Sequence, residues 1–391
     1  MKNAISKLSV AAALFFSFSS PAVAQHNIYL KVKSLTPYHL PDTLFAAGNF
    51  NNWEPSTTPF TFSAADTSWS LQLKNIKQDV LEFKFTRGSW SKVEAAGKGQ
   101  DIQNRLVHVI SDTTVNYTIA AWKDDFASVS KRHTASVHVS IIDAAFYLPQ
   151  LNRERRLWIY LPEGYATSKK HYPVLYMQDG QNIFDELTSG FGEWGVDEFL
   201  DSMQFKNKNA CIVVGIDNGA KRVNEYNPYD NEKFGKGEGK EYIEFLAKTL
   251  KPFIDNKYRT LPGRENTIIA GSSIGGLISY YAILAYPNVF GKAGIFSPSF
   301  WIAPQILSLT DSMADKSNGK FFFYIGESEG QQYVQDMINV MDKLGSVSGA
   351  IIYSAIDPYG SHNEQAWRKW FPEFYKWIMA DWTNYVIKPD N

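Results

Sequence analysis

The segment Gly271-Ser272-Ser273-Ile274-Gly275 joins a strand-like run, NTIIA, to an apolar stretch of helical character, GLISYYAILAY. In a G-x-S-x-G at such a junction the turn is tight, the glycines relieve crowding, and the central hydroxyl is lifted above the sheet edge. Ser273 is therefore the candidate nucleophile. A serine hydroxyl attacks poorly until a base takes its proton, so the motif predicts partners elsewhere in the chain.

Around a G-x-S-x-G turn those partners come in the chain order serine, acid, histidine. Of seven histidines, His26, His39, His108, His133, His138 and His171 precede the turn, and only His362 follows it. It lies in PYGSH, between the strand-like GAIIYSA and the last helical segment, and is the predicted general base. The acid should leave the preceding strand, where KFFFYIG runs into Glu327-Ser328-Glu329-Gly330. Either carboxylic side chain can orient an imidazole. Glu329 is preferred, with Glu327 second and Asp357, nearer the histidine loop, third. An oxyanion needs aimed N–H donors. The expected ones are the backbone N–H of Ile274 and that of Gln181, in the Gln178-Asp179-Gly180-Gln181-Asn182 segment after YPVLYM.

Holding such groups together takes strands that end at a common edge. From residue 136 to about 385, the apolar runs YPVLYM, ACIVVGI, NTIIAG, AGIFS, KFFFYIG and GAIIYSA alternate with helical segments such as EYIEFLAKTLKPFIDNKY and NEQAWRKWFPEFYKWIMADW. Alternation of this kind predicts an α/β domain with a mostly parallel sheet flanked by helices. Residues 26–120 differ: IYLKVKS, LFAAGNF, SWSLQLKN, LEFKFTR, LVHVIS and TTVNYTIA are short alternating runs broken by Pro, Asn, Asp and Gly. They predict a small all-β, immunoglobulin-like sandwich. The polar, aperiodic stretch 121–135 is the expected linker, and 391 residues suit two domains.

A net charge of −1 without basic runs argues against a nucleic-acid partner. The one cysteine, Cys211, lies in the apolar run CIVVGI and is expected to be a buried strand residue. No H-E-x-x-H or paired-ligand spacing occurs, so neither metal nor cofactor is expected. Lys2 and Lys7, the apolar stretch Val10–Phe18 and Ala22-Val23-Ala24 form a signal-peptide pattern, with cleavage expected after Ala24. Export to the periplasm or the medium follows, with no membrane span.

The segments LYMQDGQNIFD, GSSIGG, YIGESEG and GSHNEQAW, in that order, resemble an esterase family of α/β-hydrolases that includes feruloyl and acetylxylan esterases, esterase D and enterochelin-type siderophore esterases. The resemblance covers about residues 136–382. It implies an α/β-hydrolase fold, Ser273 as nucleophile, His362 as base, and an acid at the position of Glu329, where many relatives carry Asp. Arg222, in RVNEY, matches a family stretch bordering the site, where an anionic substrate group or a structural salt bridge are both open roles.

In the N-terminal region, GNFNNW, FKF and GSW resemble starch- and glycogen-binding modules. That resemblance implies sugar stacking on Trp53 and Trp90, with Lys84 and Asn104 bonding hydroxyls; the loop SKVEAAGKGQDIQNR departs from the family's acidic turn. The open alternative is a sandwich that braces its neighbour. Three functions follow: an exported serine esterase acting on carbohydrate or phenolic esters, a siderophore trilactone esterase, or a non-catalytic glycan-binding protein.

Overall fold

The computed structural model describes residues 25–34, 42–100, 102–126, 131–203, 210–313, 316, 318–347 and 349–380. The predicted leader, 1–24, lies outside them. The chain forms two units, residues 1–128 and 129–391, parting inside the predicted linker.

Alternation along the first N-terminal run buries Ile28, Leu30 and Val32 while Tyr29, Lys31 and Lys33 stay exposed. Nine strands form among the described residues: β1 (His26–Ser34), β2 (Phe45–Gly48), β3 (Thr61–Ser63), β4 (Ser68–Ile76), β5 (Val80–Thr86), β6 (Glu94–Ala95), β7 (Arg105–His108), β8 (Thr113–Ile119) and β9 (Ala121–Trp122). They make sheets ordered β3-β4-β1-β8, β2-β5-β7 and β6-β9. Pairing is antiparallel except between β1 and β8. Phe83 and Phe85 on β5 are fully buried with Leu30 and Ile119. Trp122, placed in the linker by the sequence pattern, is 2% exposed in this same core. The N-terminal unit therefore extends past residue 120.

The second unit carries one eight-stranded sheet, in the order β10-β11-β13-β12-β14-β15-β16-β17. Its strands are β10 (Val139–Leu148), β11 (Arg153–Tyr160), β12 (Val174–Gln178), β13 (Ile212–Ile216), β14 (Thr267–Ser272), β15 (Lys292–Phe296), β16 (Lys320–Gly326) and β17 (Ile351–Asp357). β13 through β17 run parallel with β12 in this order, whereas β10 and β11 pair antiparallel at one edge. Every residue of β12, β13, β14, β15 and β16 is buried, as strands covered on both faces require. Cys211 stands just before β13, 1% exposed, and burial pushes its thiol up to about 12.

Among the described residues eight helices accompany the strands: α1 (Val196–Met203), α2 (Arg222–Glu225), α3 (Gly239–Phe245), α4 (Lys251–Lys257), α5 (Ile274–Ala285), α6 (Ile306–Met313), α7 (Gln331–Val347) and α8 (Glu364–Met379). The stretch expected as one helix over 241–258 is instead α3 and α4 joined by a π-helical turn, Leu246–Leu250. Pro252, without an N–H, enters at the start of α4 and shifts the hydrogen-bond ladder there. No described helix is long and apolar enough to cross a membrane.

Candidate active site

β14 is an inner strand, with β12 on one side and β15 on the other, so the turn that leaves it opens at the middle of the sheet edge. Ligands in open α/β sheets gather at this carboxyl edge. Ser273 occupies the turn between β14 and α5 with φ 59° and ψ −123°, a conformation costly for a residue with a Cβ. The surroundings fix it. Its N–H donates to the Phe296 carbonyl at 2.9 Å, and its own carbonyl accepts from Gly276, Leu277 and Ser299 at 3.0–3.1 Å. A Cβ on Gly271 would stand 2.7 Å from the Gly275 carbonyl oxygen, so that flank admits only glycine without a backbone shift.

His362 lies between β17 and α8, its Nδ1 2.7 Å from Oε2 of Glu329. Glu329 follows β16, with its side chain 3% exposed against 44% for His362. Its Oε1 accepts from the Gly326 N–H at 2.8 Å and from the Ser297 hydroxyl at 2.6 Å. Ser297 in turn accepts from the Trp367 indole N–H at 2.9 Å. That indole meets the His362 ring edge-on, centroids 5.2 Å apart. Burial opposes charge on His362, but the Glu329 carboxylate outweighs it by charge and hydrogen bond, holding the imidazole above its ordinary value.

Of the alternative acids, Glu327 is exposed. Asp357 is engaged elsewhere, accepting from Lys369 Nζ and Trp370 Nε1, each at 2.8 Å. Burial works against its charge, yet the Lys369 and Trp370 donors hold it below the usual carboxylate range.

Ser297-Pro298-Ser299 links the two halves of the site. Ser297 bonds Glu329, while the Ser299 hydroxyl lies 3.2 Å from that of Ser273. Neither serine stands out in the sequence; their one signal is position, Ser297 closing the run AGIFS and Ser299 following it by two residues.

Ile274 opens α5, where N–H groups lack partners one turn back. Gln181 sits in the single 3₁₀ turn Gly180–Asn182 after β12. A Cβ on Gly180 would lie 2.8 Å from the backbone of β13, so this turn can hug the strand only with glycine there. Asp179, left-handed at φ 57°, accepts from Arg222 Nε at 2.7 Å and Nη2 at 2.8 Å, and from Asn218 at 2.6 Å. Arg222 thus has the salt-bridge geometry of its two open roles.

In the N-terminal unit, the Asn51 side chain folds GNFNNW into a turn, accepting from the Gly48 N–H and donating to the Ala46 carbonyl, both at 2.8 Å. The turn sets Trp53 beside Trp90, ring centroids 6.3 Å apart and planes inclined 35°. Asn104 donates to Glu82 at 2.8 Å. Lys84 follows Glu82 by two residues on β5 and so shares its face, opposite to Phe83 and Phe85.

Among the described residues, no cluster of three or more His, Cys, Asp or Glu is arranged to hold a metal. Among known proteins, the chain is 22% identical over 237 residues to the endo-1,4-beta-xylanase/feruloyl esterase of Xylanibacter ruminicola, 59% of this chain and 30% of that one. It is 25% identical over 235 residues to the iron(III) salmochelin esterase of Escherichia coli O6:H1, 55% of this chain and 52% of that one. The N-terminal region is 33% identical over 97 residues to an alpha-amylase of Niallia circulans, 24% of this chain and 7% of that one. The BES protein of Bacillus cereus shares the hydrolase fold, with TM-score 0.53 and 17% identity over 66% of this chain and all of that one. Residues 149–378 match the model of the family described as "Putative esterase", so the chain belongs to that esterase family and is a carboxylic ester hydrolase.

Proposed function

We propose that the chain is an exported serine esterase working through an acyl-enzyme. The observation that carries this reading is the Ser297-Pro298-Ser299 bridge, with the Ser273 hydroxyl at one end and the Glu329–His362 pair at the other. In the reaction, Ser273 Oγ attacks the ester carbonyl carbon while His362 Nε2 takes the hydroxyl proton. Glu329, on Nδ1, fixes the tautomer and stabilises the imidazolium. The oxyanion is received by the N–H groups of Ile274 and Gln181. His362 then protonates the departing alkoxide, the alcohol leaves, and water, deprotonated by His362, releases the acid and restores Ser273.

A phenolic or carbohydrate ester is the substrate class favoured here. Trp301, two residues beyond Ser299 and 43% exposed, stands between Phe234 and Tyr333 at ring distances of 6.4 and 6.3 Å, offering flat apolar surface near the nucleophile. The xylanase/feruloyl esterase relative points the same way. A siderophore trilactone is the second reading, favoured by the salmochelin esterase relative. The immunoglobulin-like N-terminal module would bind α-glucan through Trp53, Trp90, Lys84 and Asn104, supported by the adjacent indoles and the amylase relative. A purely glycan-binding role is the reading from another class. Export rests on the leader pattern in residues 1–24.

The test uses protein lacking residues 1–24. Wild type should hydrolyse p-nitrophenyl acetate, and Ser273→Ala should lose that activity; full retention would refute the mechanism. Feruloylated xylan fragments compared with a catecholate trilactone separate the two substrate readings.

A further inference from the structure

Outside the Ser273, Glu329 and His362 set, a further carboxyl is buried beside the site. Glu364 is the first residue of α8, two positions beyond His362, and 7% exposed. Its Oε1 accepts from Asn182 Nδ2 at 3.3 Å, across 182 residues of chain. Asn182 ends the 3₁₀ turn that carries Gln181 and holds the following loop as well. Its Oδ1 accepts from the Gly190 N–H at 3.0 Å and its carbonyl from the Trp194 N–H at 2.8 Å. Farther along the same loop Trp194 packs against Trp367 of α8, centroids 5.7 Å apart and planes inclined 31°, and Glu193 pairs with Arg368 at 3.0 Å.

Resting on the esterase reading above, we propose that Glu364 is a positioning residue: its carboxyl, by accepting from Asn182, clamps the turn bearing the Gln181 N–H to the loop bearing His362. The oxyanion donor and the base come from segments far apart in the chain, and nothing local sets the distance between them. A displacement of about 1 Å between such groups costs on the order of 100-fold in rate, so a contact that spans them has catalytic consequence. Around the carboxyl stand Asp179 from the turn after β12, His362 from the loop before α8 and Arg222 from α2. Burial first, and Asp179 next among the raising influences, push Glu364 up to about 7, which lets two carboxyls share this enclosure.

The experiment measures kcat, KM and thermal unfolding on p-nitrophenyl acetate for wild type, Glu364→Ala, Glu364→Gln, Asn182→Ala and the double alanine variant. The clamp predicts that each single alanine change lowers kcat roughly tenfold with KM within about twofold. The double variant should fall no further than the worse single one, because both remove the same contact. Glu364→Gln, whose amide oxygen still accepts, should keep most of kcat. Unchanged kcat in the alanine variants, losses that multiply in the double variant, or a glutamine variant as slow as the alanine one would overturn the proposal. If Glu364→Ala does not fold, Asn182→Ala carries the comparison, its unchanged kcat being the refuting result. A Ser273→Ala protein that stays active defeats the esterase reading itself; an inactive one beside a normal Asn182→Ala defeats only the clamp.

Discussion

His362 and Glu329, 33 residues apart in the chain, meet with Nδ1 and Oε2 at 2.7 Å, while the other oxygen of Glu329 is held by Ser297 and the Gly326 N–H. A carboxylate fixed on one side leaves its remaining lone pairs aimed at one imidazole. This geometry sets both the tautomer and the acidity of the histidine.

Replacing Glu329 with Gln removes the charge that raises the imidazole. In the proposed mechanism the base works as the neutral ring, so the acid limb of kcat/KM should move to lower pH. The plateau should meanwhile fall at least about 100-fold, because the amide no longer favours the productive tautomer. A pH–rate profile of the variant checks both, and an unmoved limb would count against the pair.

Asp197, on the first turn of α1, is fully buried. Its Oδ2 accepts from the Ser136 N–H at 2.7 Å, and the Glu198 carboxyl neighbours it. Burial, then the neighbouring Glu198, push it from 3.8 to about 8. Between those values the folded chain keeps a proton that the unfolded chain releases, so stability declines as pH climbs through this window. Asp197→Asn keeps the acceptor and cannot ionise. Its melting temperature should match wild type near pH 4 and exceed it by a few degrees at pH 8. Parallel melting curves at both pH values would contradict this.

The indoles of Trp53 and Trp90 lie side by side, and the proposed glucan site stacks the apolar faces of glucose rings on them. Titration with maltoheptaose should show binding that each single alanine change weakens about tenfold and the double change abolishes. No binding by wild type, or binding that survives the double change, would leave the unit without a glucan role.

Much of this architecture was legible because its signals are local. The inner strands of the parallel sheet are uninterrupted apolar runs, and the G-x-S-x-G turn needs only its own glycines and flanking elements. The single histidine after Ser273 made the candidate base a matter of chain order. β10 and β11 were not legible: β10 is a largely exposed edge strand with two register shifts, and β11 begins with Arg153-Glu154-Arg155-Arg156, which hides strand character behind charge. β6 and β9, two residues each, have no length over which to alternate. Ser297, Ser299, Asp179 and Glu364 gain their meaning from contacts across 26 to 182 residues, which no local pattern encodes.

The central claim is that Ser273 forms the covalent intermediate, and a fluorophosphonate tests it directly, since attack on phosphorus expels fluoride and leaves a stable adduct on the serine. Mass spectrometry of the digested protein should find one adduct, on the peptide containing Ser273, growing in proportion to the loss of p-nitrophenyl acetate hydrolysis. Hydrolysis that persists with Ser273 fully modified, or inactivation with the adduct on another residue, would contradict the account.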